Sequence, residues 1–134
     1  MKILCDTHII IWYLTGDERL SQNARDLIDD ETNEIFYSLV SVWEVGIKHD
    51  RKPDKLTLSA QNFINFCDEQ GFVEYPLSKQ HIFSLDTLHH LENTPEHHDP
   101  FDRLLLAQAK TDGLTFLTHD RLISDYGENC VVVV

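Results

Sequence analysis

Apolar residues follow two rhythms along this chain: short unbroken runs, and longer stretches in which they recur every three or four positions. The runs "KILCD" (2–6), "EIFYS" (34–38), "FVEYP" (72–76), "TFLT" (115–118) and "CVVVV" (130–134) predict five short strands. Helical spacing lies between them. A first helix spans about Thr7–Leu14 and closes at Thr15-Gly16-Asp17; a second, capped by Ser21, runs to about Asp30 with Ala24, Leu27 and Ile28 inward. A third begins at Ser41 in "SVWEVGIK" with Val42, Val45 and Ile47 apolar, before a basic loop from Lys48 to Lys55 containing Pro53. Others run from about Ser59 to Glu69 with Gly71 beyond, and from a Ser78 cap to about His89. The last starts within "HHDPFDRLLLAQA" (97–109), with Leu105, Leu106 and Ala109 at helical spacing, and stops at Gly113 after Asp112. No repeat, linker or low-complexity segment interrupts the alternation. Short apolar strands alternating with helices predict an α/β fold: a central, mostly parallel five-stranded sheet flanked by helices on both faces.

Chain length limits the architecture. The 134 residues of 1–134 suit one domain able to bury a core without disulfides or structural metal. A hydrophobic content of 42% with only 5 glycines and 4 prolines argues for a packed globule over a disordered chain. Cys5, Cys67 and Cys130 are odd in number and widely spaced, which fits core thiols in a reducing cytoplasm better than a disulfide frame or zinc site. "MKILCDT" lacks the apolar core of a secretory signal, and no apolar run approaches spanning length. The expected location is cytoplasmic.

Net charge changes the picture more. At -12, the chain has the wrong sign to hold nucleic acid by its overall field, so any such contact must be local, metal-assisted or helped by a basic partner. In parallel sheets, ligands bind beyond the carboxyl ends of the strands. Asp6 ends the first strand, and Asp120 lies two residues past the fourth. Glu44 falls near the start of the helix after the second strand, and Asp99 and Asp102 open the helix that descends before the fourth. Separate segments therefore deliver carboxylates to one rim.

Each acid also has a structural reading. Asp99 before Pro100 is an ordinary helix cap, with Asp102 in the first turn against unpaired N–H groups. Glu44 completes a capping box with Ser41, Asp120 caps "RLISDY", and Asp6 closes a turn with Thr7. Convergence is harder to explain that way. Clustered carboxylates raise one another's pKa values, whereas Mg²⁺ or Mn²⁺ favours hard oxygen ligands of this kind.

"CDTHIIIWYL", "SLVSVWEVGIKH", "HHDPFDRLLLAQA" and "LTFLTHD", in that order, resemble the PIN-domain ribonucleases, specifically the VapC-like toxins of bacterial toxin–antitoxin modules. The resemblance spans essentially the whole chain. It implies a PIN-like three-layer fold and a Mg²⁺- or Mn²⁺-dependent site that hydrolyses RNA. By the same resemblance, Asp6, Glu44, Asp102 and Asp120 are the catalytic acids, with Asp6 and Asp102 the principal metal ligands and Glu44 and Asp120 supporting. Asp99, three residues before Asp102 on the same helical face, reaches the metal directly or through water. A cognate antitoxin and a homodimer are the implied partners besides RNA.

Among neighbouring residues, Thr7 serves either the Asp6 carboxylate and a metal's water shell or a local turn, and Arg103 either a phosphate or a surface ion pair. His97 and His98 are placed in a loop near the site; His8, His49 and His119 carry no role. Trp12, Trp43, Phe63 and Phe66 are read as core or interface. Lys48, Arg51, Lys52 and Lys55 form either an RNA track or a solvated loop. Two rival functions remain. An aspartyl-intermediate phosphoryl transfer in its familiar phosphatase form would want a second acid where His8 stands, while a catalytically silent acidic-pocket protein-binding module fits the same acids.

Overall fold

A computed structural model describes residues 1–94 and 98–134. His97 lies outside the described residues. In chain order the elements are β1 (Lys2–Cys5), α1 (Thr7–Thr15), α2 (Gln22–Asp29), β2 (Glu34–Ser38), α3 (Leu39–Arg51), α4 (Ala60–Glu69), β3 (Val73–Tyr75), α5 (Lys79–Phe83), α6 (Pro100–Asp112), β4 (Thr115–Thr118), α7 (Arg121–Ser124) and β5 (Val131–Val133), with a 3₁₀ turn at Ser84–Thr87 after α5. The sheet order is β3-β2-β1-β4-β5, and each neighbouring pair is parallel. The expected mostly parallel sheet is thus parallel throughout.

Strand periodicity divides the core into two layers, because successive side chains leave opposite faces. Ile3, Cys5, Ile35, Tyr37 and Leu117 join the apolar layer that includes Ile9 and Ile10 of α1 and Phe63 and Cys67 of α4. Leu4, Phe36 and Phe116 face the other layer, with Leu104, Leu105, Leu106 and Ala109 of α6. Strands buried on both sides carry no polar alternation, which is why they appear in the sequence as unbroken apolar runs. Cys5 and Cys67 are buried, and none of the three cysteines is disulfide-bonded. Among the described residues, no helix is long and apolar enough to cross a membrane.

Three local expectations change. The third helix starts at Leu39, because the Ser38 hydroxyl accepts from the Val40 N–H at 3.0 Å and takes the cap expected of Ser41. Helix α3 also runs through Lys48 to Arg51, so the basic loop begins later than the sequence pattern places it. The helix expected from Ser78 to His89 is shortened to α5 and the 3₁₀ turn, where Ser84 donates to the His81 carbonyl and Thr87 to the Ser84 carbonyl. Side-chain hydroxyls that take backbone carbonyls in this way compete with helix continuation.

The order of strands positions the site. From β1 the chain adds β2 and β3 on one side, whereas β4 and β5 lie on the other, so the direction of winding switches between β1 and β4. A crevice opens at the carboxyl ends of strands at such a switch.

Candidate active site

Asp6 stands at the switch point. It follows β1 and occupies the cap position of α1, yet its side chain makes no capping hydrogen bond. Instead, Oδ2 accepts from the Thr118 hydroxyl at the end of β4 at 2.7 Å. Oδ1 is buried and has no hydrogen-bond partner among the described residues. The pairing of Cys5 with Leu117 in adjacent parallel strands brings Asp6 and Thr118 level. Burial pushes the Asp6 carboxyl up to about 6, the Thr118 hydroxyl opposes the shift, the Glu44 charge adds to it, the Thr7 backbone N–H opposes it, and the Asp120 charge adds again.

Glu44 is 1% exposed, one turn further into α3 than the sequence pattern suggests. Its expected capping box with Ser41 does not form, because Ser38 caps the helix. Oε1 accepts from the Thr7 hydroxyl at 2.7 Å, and that hydroxyl also lies 2.8 Å from the Ser41 hydroxyl. Oε2 is ion-paired with Lys48. Thr7 therefore neither serves Asp6 through its hydroxyl nor closes a simple turn; it locks α1 to α3 through the glutamate.

Asp99 and Asp102 open α6 as the sequence suggests. Asp99 Oδ1 accepts from the N–H groups of Phe101 and Asp102 at 2.9 and 3.1 Å. Asp102, in the same first turn, is partly buried, and its carboxyl rises to about 8. Burial is the largest cause, followed by the charges of Asp6, Asp99, Glu44 and Asp120. Asp120 caps α7 through Leu122 N–H at 2.9 Å. Four of the sequence-predicted acids thus act on the fifth, Asp102, and capping and clustering coexist in Asp99 and Asp120.

The donor chemistry fits a hard divalent cation. The buried Asp6 Oδ1 has no hydrogen-bond partner among the described residues, and burial holds the Asp6 and Asp102 carboxyls above their ordinary range. Among the described residues, no group of three or more His, Cys, Asp or Glu side chains is arranged to hold a metal by itself. Mg²⁺ commonly takes only one or two carboxylates and keeps several waters, so its chemistry does not demand a larger group.

Other residues take clearer places. Arg103 donates to the Tyr126 hydroxyl at 3.1 Å and the Leu85 carbonyl at 3.2 Å, so neither a phosphate nor an ion pair is needed to account for it. Exposed His8 has its pKa lowered, first by desolvation and then by the Lys48 charge. His98 is exposed before α6. His49 Nδ1 lies 2.7 Å from the Leu56 carbonyl, and His119 Nδ1 2.8 Å from that of Val134. Trp12 and Phe63 belong to the core; Trp43 is 57% exposed with its ring 5.0 Å from Phe101, and Phe66 is exposed. The sequence reasoning missed Thr118 and the Glu44–Lys48 pair. The i,i+4 spacing signalled the second; the first needed the strand order. A cavity of about 440 Å³ lies at the opposite edge, between Tyr13, Asp29, Glu34, Gln70 and Phe72, away from the clustered acids.

Solved structures share the fold at low sequence identity. VapBC2 from Rickettsia felis, determined bound to a DNA fragment from its promoter, is similar at TM-score 0.68 and 16% identity, covering 100% of this chain and 98% of that one. A domain of a functionally unknown protein from Methanocaldococcus jannaschii DSM 2661 is similar at TM-score 0.56 and 14% identity, covering 99% and 90%. No curated protein matches this sequence. The PIN domain pattern matches residues 3–129, nearly the whole length over which the acidic cluster is assembled, and the chain belongs to the PIN domain family.

Proposed function

We propose that this chain is a Mg²⁺- or Mn²⁺-dependent endoribonuclease that hydrolyses RNA phosphodiester bonds, with residues 1–134 acting as one PIN-like domain. PIN domains are generally nucleases, which supports the reaction class. The observation that carries the reading is Asp102, whose carboxyl is raised to about 8 by burial and by the charges of Asp6, Asp99, Glu44 and Asp120 together. Holding carboxylates this close is a cost to the fold that a bound cation offsets.

Asp6 and Asp102 would hold the ion, Asp6 through its unpartnered Oδ1. The bound ion would supply positive charge to lower the pKa of an attacking water and offset charge developing on the scissile phosphate. Thr118 holds Asp6 by its other oxygen, leaving Oδ1 directed away from that bond. Thr7 fixes the Glu44 carboxylate, and Asp99 and Asp120 support the cluster while capping α6 and α7. Water serves as nucleophile, so no side chain need attack phosphorus.

The resemblance to VapC-like toxins, together with the fold shared with VapBC2, supports a toxin acting in the cytoplasm as a homodimer and restrained by a cognate antitoxin. An antitoxin arginine or lysine inserted among the carboxylates would replace the ion's charge. Cleavage of structured and single-stranded RNAs, with Mg²⁺ and with EDTA, tests the chemistry. Expected is metal-dependent cleavage that Asp102→Asn abolishes. Expression alone should slow bacterial growth, and Asp6→Ala should relieve it. Metal-independent cleavage refutes the mechanism; absence of cleavage together with equal toxicity of the two forms leaves the acidic-pocket binding module.

A further inference from the structure

We propose that Lys48 is a substrate-phosphate contact of the acidic site, held in position by Glu44. This rests on the ribonuclease reading and adds the residue that admits an anion to a cluster of acids. Lys48 lies one helical turn beyond Glu44 on α3, and its ammonium is ion-paired with Glu44 Oε2. The two members differ sharply in exposure: the Glu44 side chain is 2% exposed and that of Lys48 43%. Glu44 cannot readily swing out with its partner, because Thr7 grips its other oxygen at 2.7 Å. The ammonium is consequently anchored on its inner side and open to solvent on its outer side.

An ammonium has three N–H donors, and the carboxylate pairing uses one. The remainder suit a phosphate oxygen. Lys48 also offsets the charge of the buried Glu44 carboxylate, a structural role that the salt dependence of binding separates from a phosphate contact. Asp6, Glu44, Asp99 and Asp120 all act on Asp102, and a phosphodiester approaching that cluster meets repulsion. Thr7, the residue after Asp6, bonds Glu44 Oε1, so the Glu44–Lys48 pair lies beside the β1–α1 turn at the switch point. Arg103 is engaged by Tyr126 and Leu85, and Arg19 by Asp17. Arg51, Lys52 and Lys55 lie farther along, at and beyond the end of α3. Lys48 is thereby separated from the basic cluster in which its sequence position groups it.

Binding of a fluorescein-labelled oligouridylate of about twelve nucleotides, followed by anisotropy in EDTA across a range of NaCl concentrations, tests the contact without turnover. One lost phosphate contact lowers the slope of log affinity against log salt by about 0.7 for a single strand. Lys48→Gln should show that reduction and weaker binding at low salt, and Lys48→Arg should restore both. In Mg²⁺, Lys48→Gln should raise KM for an RNA that the wild type cleaves by a larger factor than it lowers kcat. A wild-type salt slope in Lys48→Gln, whatever its melting temperature, reduces Lys48 to a counter-ion and overturns the proposal. Absence of oligouridylate binding by the wild type also overturns it, whereas binding without cleavage refutes the ribonuclease reading alone.

Discussion

Replacing Asp102 with asparagine preserves the side chain's shape and removes its charge. In the folded chain Asp102 is raised from 3.8 to about 8 and Asp6 from 3.8 to about 6. Unfolding returns both towards 3.8. From about pH 4 to about pH 8 the folded state therefore binds more protons than the unfolded state, and stability falls as pH rises. Each pKa unit corresponds to about 1.4 kcal/mol, so Asp102 taken singly costs roughly 5–6 kcal/mol when ionised. Its repulsion with Asp6 belongs to both carboxyls, which titrate as a pair, and removing one charge should relieve on the order of 3 kcal/mol. For a domain of this size that corresponds to roughly 10 °C in melting temperature. Thermal melts of wild type and Asp102→Asn in EDTA, at about pH 5 and about pH 9, measure it. The two proteins should melt together at the lower pH, where Asp102 is protonated, and the variant should melt higher at the upper pH. A variant that melts at or below wild type at the upper pH refutes the electrostatic account.

Mg²⁺ or Mn²⁺ should have the opposite sign of effect on the wild type: an ion at about 100 times its Kd adds about 2.7 kcal/mol of stability. Asp102→Asn should lose most of that gain, and a wild-type melting temperature indifferent to millimolar metal argues against a preformed site. Thr118→Val removes the hydroxyl bonded to Asp6 Oδ2, which holds the Asp6 pKa down, so the acidic limb of the cleavage pH profile should move to higher pH while Thr118→Ser restores it. An unshifted limb would mean that Asp6 does not govern it. Gln108 is fully buried, accepts from the Ser38 hydroxyl at 2.5 Å and donates to the Pro76 carbonyl at 3.1 Å. Gln108→Leu strands both partners and should cost about 2–6 kcal/mol by urea denaturation, since each buried group left unsatisfied costs about 1–3; a loss below about 1 kcal/mol would show that the core relaxes around them.

Much of the site was legible because local rules happen to position its acids. An aspartate before a proline opens a helix, and a residue ending an apolar run ends a strand, so Asp99, Asp102 and Asp6 could be assigned to one edge from sequence order alone. Local rules failed where two equivalent groups competed. Ser38 and Ser41 both precede good helical sequence, and the choice between them depends on Gln108, seventy positions away, whose carbonyl oxygen holds the Ser38 hydroxyl. The same holds for Lys48, whose spacing from Glu44 is local but whose anchoring depends on Thr7.

The sequence by itself determined the alternation of strands and helices, the two-sided burial of the central strands β1, β2 and β4 and the acids available at the carboxyl edge, because each follows from periodicity and composition within a short window. Tertiary structure alone decided the sheet order that sets Asp6 beside Thr118, the burial that raises Asp6 and Asp102, and the Thr7 bond that anchors Glu44 beneath Lys48. These depend on which distant segments share a boundary. Desolvation and charge repulsion act through space, and a linear pattern does not encode the distances over which they operate.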